Sequence, residues 1–67
     1  MIEIELNGDA HRLQPGSTLQ DLVEALELGA QSVALAVNRW VVPRERWRAT
    51  VLQPRDTVDV VRAIGGG

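Results

Sequence analysis

Leu19, Leu22, Val23 and Leu26 recur at i, i+3, i+4 and i+7 and form the one helical apolar stripe in a chain of 67 residues. A helix with one apolar stripe must bury it, and the rest of the chain offers mainly segments of period two as the surface to bury it against. Pro15-Gly16 ends the preceding pattern, and Ser17 or Thr18 is placed to cap the helix, with Asp21 three residues after Thr18 as in a capping box. Asp21, Glu24 and Glu27 fall on the wet face. The helix is predicted to end near Leu28, because Gly29 suits the left-handed conformation that closes a helix.

The segments around this helix read as strands. Ile2-Glu3-Ile4-Glu5-Leu6 alternates strictly, and Asn7-Gly8 supplies residues that tolerate positive φ in a hairpin turn. A Gly8-Asp9 loop pairs Ile4 with Leu13 and Glu5 with Arg12, whereas an Asn7-Gly8 loop pairs Ile2 with Leu13 and Glu3 with Arg12. Either register sends Leu13 to the core and sets Arg12 against a glutamate on the wet face. His11 takes the core-side parity as a half-buried strand residue.

In Ser32-Val33-Ala34-Leu35-Ala36-Val37, the larger residues Val33, Leu35 and Val37 face the helix and the two alanines face outward. A two-residue turn at Asn38-Arg39 places Val42 opposite Leu35 and Val41 opposite Ala36. By hairpin parity Trp40 points toward the core side, although its place at the turn would expose it. Pro43 suits the first turn of a short helix over Pro43–Trp47, with Trp47 plugging the underside of the core. The Gln53–Asp56 turn leads into Thr57–Val61, with Val58 and Val60 inward.

A hairpin, a crossover helix and further strands make an α+β roll. The expected sheet is mixed, of four to five strands, with one main helix across one face, a short second helix, and the first and last strands as parallel neighbours. Its outer face divides: the first two strands show Glu3, Glu5 and Arg12, and the later ones Ala34, Ala36, Val41 and Val61. An apolar outer surface beside the last strand is a candidate partner site.

The composition removes most chemistry. With no cysteine and one histidine, His11, the chain has no thiol nucleophile, no disulfide, no thiolate metal site and no histidine cluster. A single domain of this length buries about 60% of its unfolded surface, which leaves modest stability. Residues 1–34 carry six carboxylates against Arg12, a net of −5, and residues 35–67 carry six arginines against three carboxylates, a net of +3. The basic half includes the C-terminal segment and suits orienting an acidic partner. A net charge of −2 and the absence of Tyr and Phe argue against a nucleic-acid surface. No apolar run is long enough to cross a membrane, and Met1 leads directly into strand pattern, so the expected location is the cytoplasm.

The C-terminal Ala63-Ile64-Gly65-Gly66-Gly67 adds little to a fold, since glycine is costly to order and brings no side chain. The expected organisation is a body over residues 1–62 and a flexible glycine tail over 63–67. Such a tail is thin enough to enter a narrow channel and present the Gly67 carboxylate to a partner's active site.

The strand order, together with Ala36-Val37-Asn38, Val42-Pro43-Arg44-Glu45-Arg46-Trp47, Asp56-Thr57-Val58 and the terminal Gly66-Gly67, resembles the ubiquitin-like sulfur carrier proteins of thiamine biosynthesis. The resemblance spans the chain and implies a β-grasp fold. Two departures stand out: Gly65 precedes the usual glycine pair, and Pro54-Arg55 stands where the family tends to carry glycine before the aspartate.

The resemblance implies a cosubstrate rather than an enzyme. A free α-carboxyl titrates at about 3.3–3.7 and is therefore an ionised, poor electrophile at neutral pH, so it needs activation. In such a family a ubiquitin-activating-type adenylyltransferase uses ATP and magnesium to adenylate the terminal glycine. A persulfide, supplied through a cysteine desulfurase, then yields a thiocarboxylate on Gly67 that delivers sulfur to thiazole synthase. The carrier itself holds no cofactor or metal. Gly65 and Gly66 would pass through the partner's channel, Ile64, Val61, Val41 and Ala36 would dock the body, and Arg62 would meet an acidic partner residue. Two alternatives stay open: the small sulfur-carrying subunit of molybdopterin synthase, and a ubiquitin-like modifier joined through Gly67 to target lysines.

Overall fold

The computed structural model describes residues 1–28 and 32–62. Strands β1 (Ile2–Leu6) and β2 (Asp9–Leu13) precede helix α1 (Leu19–Ala25). After it come β3 (Val33–Val37), β4 (Trp40–Val42), a 3-10 helix over Arg44–Ala49, and β5 (Thr57–Arg62). The five strands form one sheet in the order β2-β1-β5-β3-β4, with β1 and β5 parallel and the other neighbours antiparallel. Both helices pack on one face. The expected parallel pairing of first and last strands is present.

Turn chemistry sets the registers. Asn7 and Gly8 take φ of 49° and 89°, the double left-handed turn that matches strand twist, and Ile2 pairs with Leu13 and Glu3 with Arg12. Of the two registers open in the sequence, the one with the Asn7-Gly8 loop is adopted. Asn38 and Arg39 repeat the geometry at 51° and 73°, setting Val42 opposite Leu35 and Val41 opposite Ala36 as expected.

Alternation then sorts the side chains. Ile4, Leu13, Leu35 and Val58 enter the core from the sheet and meet Leu19, Leu22 and Val23 of α1. Leu26, the fourth residue of the stripe, is half-buried against this core, and His11 on β2 is half-buried as expected. Trp47 is only 3% exposed and its Nε1–H donates to the Val42 carbonyl at 2.9 Å, so the plug expected of it also satisfies the indole donor. Trp40, whose side the sequence left open, is 78% exposed. It shares the parity of Val37 but stands on the edge strand, where nothing described covers it.

Two local expectations are corrected. Helix α1 ends at Ala25 rather than near Leu28, because Glu27 takes the left-handed position, at φ 59°. The Glu27 N–H donates to the Glu24 carbonyl and the Leu28 N–H to the Val23 carbonyl, the two bonds of a Schellman closure, and Leu28 returns to the core. Gly29 lies outside the described residues. The start of α1 is as read: Thr18 Oγ1 accepts from the Asp21 N–H and Asp21 Oδ2 from the Thr18 N–H, a complete capping box. The second correction concerns Pro43, which precedes the short helix as an extended cap residue instead of opening its first turn, so that helix covers Arg44–Ala49.

Candidate carrier face and the root of the last strand

β5 is the strand that leads toward the glycines, and it occupies the middle of the sheet. Its pairing with β1 covers only Glu5 with Thr57 and Leu6 with Val58. Beyond Leu6 the chain turns away into the first hairpin, and Asn7 takes over. Its backbone N–H donates to the Val58 carbonyl at 2.9 Å, and its side-chain Oδ1 accepts from the Val60 N–H at 2.8 Å. One turn residue therefore extends the support of β5 beyond the end of β1. Sequence reading gave Asn7 only its turn; its link to Val60, 53 residues away, exists only once β1 and β5 are neighbours.

The start of β5 is clamped too. Asn38 Oδ1 accepts from the Thr57 N–H at 2.9 Å, and its Nδ2 donates to Asp56 Oδ1 at 3.1 Å. The other carboxylate oxygen of Asp56 accepts from the Gln53 N–H. The Gln53–Asp56 turn closes with Arg55 at φ 71°, where a turn with proline second ordinarily places glycine third. Its backbone N–H donates to the Glu3 carbonyl, which ties the turn to β1. The Pro54-Arg55 departure is thus absorbed as a strained arginine in an otherwise ordinary turn.

On the outer face Ala34 pairs with Val61, and Ala36 pairs with both Asp59 and Val41. These residues make a patch across β4, β3 and β5, with Val41 74% and Val61 62% exposed. Arg62 pairs with Val33 and follows Val58 and Val60 in parity, so it belongs to the helix-bearing side. The docking residues named from sequence therefore divide: Ala36, Val41 and Val61 share one face, and Arg62 stands on the other at the end of β5. Ile64, Gly65, Gly66 and Gly67 lie outside the described residues.

The basic half of the sequence is not a basic end of the molecule. Arg39 and Arg55 sit in the two turns that Asn38 and Asp56 join, at the end of the sheet where β5 begins. Arg44, Arg46 and Arg48 lie on the 3-10 helix, where the Arg44 guanidinium stacks 5.1 Å from the Trp47 ring. Of the six, Arg62 alone belongs to the strand that leads to the tail. Among the described residues no group of three or more His, Asp or Glu side chains is placed to hold a metal ion, and no helix is long and apolar enough to cross a membrane.

A five-stranded mixed sheet with a helix across one face and the last strand at its centre is the ubiquitin-like β-grasp. A crystal structure of the thiamine biosynthesis protein ThiS from Geobacter metallireducens superposes on it with a TM-score of 0.84 at 26% identity, covering 98% of this chain and 100% of that one. The family model of the ThiS family matches residues 4–67, and the chain belongs to that family, the sulfur carriers of thiamine biosynthesis. It is 33% identical to the sulfur carrier protein ThiS of Escherichia coli, over 98% of this chain and 100% of that protein. It is also 41% identical over 66 residues to a thiazole synthase of Magnetococcus marinus, of whose length it spans 20%.

Proposed function

We propose that this protein carries sulfur for thiazole formation as a thiocarboxylate on Gly67. The observation that supports this most is that the family match runs through residue 67 and so includes the glycines as well as the body. In the first step a carboxylate oxygen of Gly67 attacks the α-phosphorus of ATP, assisted by magnesium in an adenylyltransferase, and pyrophosphate leaves. The product is a mixed anhydride whose carbonyl carbon is now electrophilic. A persulfide sulfur, raised from cysteine by a desulfurase, attacks that carbon and expels AMP. A second thiol then opens the remaining S–S bond, which leaves the thiocarboxylate and a disulfide.

Thiazole synthase is the proposed acceptor, and the Magnetococcus relative, which bears that name and matches this chain along a fifth of its length, favours it. The body contributes recognition: Ala36, Val41 and Val61 supply an apolar docking face, Arg62 an ionic contact, and Gly65 and Gly66 a backbone without Cβ atoms to pass a narrow channel. The setting for this exchange is the cytoplasm.

The test is intact mass after incubation with the adenylyltransferase, ATP, magnesium, cysteine and a desulfurase. The expected shift equals one oxygen replaced by sulfur, located in the terminal peptide. An unshifted mass, with thiol-resistant adducts on other proteins, would make the chain a modifier instead. Bulky substitutions of Gly66 or Gly67 should abolish the shift and leave the unfolding curve unchanged.

A further inference from the structure

The basic excess of the chain is narrower than its C-terminal half. Residues 39–49 hold Arg39, Arg44, Arg46 and Arg48 against Glu45, a net side-chain charge of +3, whereas residues 50–67 balance and residues 1–38 carry −5. That stretch is β4 with its turn and the 3-10 helix that follows, so the excess begins at one lateral edge of the sheet and continues onto the helix-bearing face. Trp47 fastens the two parts together through its bond to the Val42 carbonyl, and the Arg44 guanidinium is stacked on its ring.

Three features of this edge are costs that the fold does not recover. Trp40 shares the helix-bearing side with Val42, yet it is 78% exposed while Trp47 on that side is buried. Arg39 takes φ 73° at the second turn position, where glycine is the ordinary residue, and its guanidinium has no hydrogen bond or ion pair among the described residues. Arg46 and Arg48 are exposed, likewise lack ion pairs among the described residues, and add like charge to the same stretch. Trp40 pairs with Val37, about 13 Å along β3 from the pair of Val33 with Arg62, which puts it at the opposite end of that strand.

We propose that the β4 edge is a second docking surface, on which Trp40 meets an apolar side chain and Arg39, Arg46 and Arg48 meet carboxylates of an acidic segment of a partner protein. Tryptophan and arginine are the residues enriched where protein interfaces hold most tightly, and the charge of this edge selects an acidic occupant. Strand addition is disfavoured, because β4 has three residues and Pro43 after it has no N–H to offer. A second copy set edge to edge would bring the arginines of both together. Single-stranded nucleic acid is bound on successive aromatics along a basic groove, but the sequence has no Tyr or Phe and Trp47 is buried. Trp40 and Val41 point to opposite faces, so an acidic partner here leaves the face of Ala36, Val41 and Val61 uncovered. The inference does not depend on the carrier reading, since it is tested on the free protein without sulfur transfer.

The experiment is an NMR titration of the free protein with a short blocked peptide of alternating glutamate and leucine. Expected are saturable shifts at the Trp40 indole N–H and at the amides of Arg39–Val42, Arg46 and Arg48. Raising the salt from about 0.1 M to about 1 M shortens the screening length from about 10 Å to about 3 Å, and binding should weaken about tenfold. Trp40→Ala, and Arg46→Gln together with Arg48→Gln, should each weaken it about fivefold or more, with the strand amides unshifted, whereas Arg12→Gln should leave it unchanged. Absence of these shifts, equal binding of a lysine–leucine peptide, or tighter binding of an oligothymidylate overturns the proposal. So do shifts at Arg46, Arg48 and Glu24 that grow with protein concentration alone, which would give the edge to a second copy of the chain.

Discussion

The outer face of the sheet has two halves built to one plan and filled differently. On β1 and β2 the outward positions Glu3, Glu5 and Arg12 are charged, with Ala10 opposite Glu5, and Glu3 and Arg12 approach to 3.8 Å while remaining 60% and 76% exposed. On β5, β3 and β4 the outward run is Val61, Ala34, Ala36 and Val41, with Asp59 opposite Ala36 and the two valines largely in water. Neither half packs against the core, so neither composition follows from folding. The charged half behaves as an ordinary solvated surface, but the exposed valines on paired strands leave apolar surface in water without gaining burial. That asymmetry supports the apolar half as the proposed surface for a partner.

The covered face supplies the reference. Leu22→Ala, in the fully buried stripe of α1, should cost about 3–5 kcal/mol. That is much of what a 67-residue domain holds at about 0.05–0.15 kcal/mol per residue, and a urea titration will show the midpoint collapse. The paired change Val41→Lys with Val61→Lys should behave in the opposite way. Stability should move by about 1 kcal/mol or less, while affinity for the adenylyltransferase, read by calorimetry, should fall more than tenfold, about 1.4 kcal/mol. Unchanged affinity would remove the functional meaning of the apolar half.

The left-handed residues Arg55 and Glu27 allow a finer comparison. Arg55→Gly, in the turn tied to Glu3, and Glu27→Gly, at the end of α1, should each raise stability by about 0.5–1 kcal/mol by relieving positive φ. Equal gains in thermal unfolding would show plain backbone strain at both; a loss at either would reveal side-chain support there. The smallest effect belongs to the charged half. Arg12→Ala should change stability by less than about 0.5 kcal/mol and leave partner affinity unaltered, because exposed ion pairs at this separation contribute little.

Much of this was legible residue by residue. The capping box at Thr18 and Asp21 is a local pattern, and both hairpins follow from Asn7-Gly8 and Asn38-Arg39, because positive φ at adjacent residues selects one loop length. The apolar outer residues were readable for the same reason: strand parity is local. What misled was glycine. Gly29 looked like the natural close of α1, but the positions of Val23 and Leu28 in the core draw the chain back earlier and leave Glu27 to bear the strain. The arginines misled in a different way, since membership of one half of the sequence says nothing about which end of the sheet a turn reaches.

The sequence by itself determined the elements, their inward and outward faces, the two hairpin registers within a choice of one residue, and the family, because each rests on spacing and motif. Only the tertiary structure decided that Asn7 supports Val60 and that Asn38 and Asp56 together hold the start of β5. These depend on groups far apart in the chain, and their contacts acquire an energy only after β1 and β5 have come side by side.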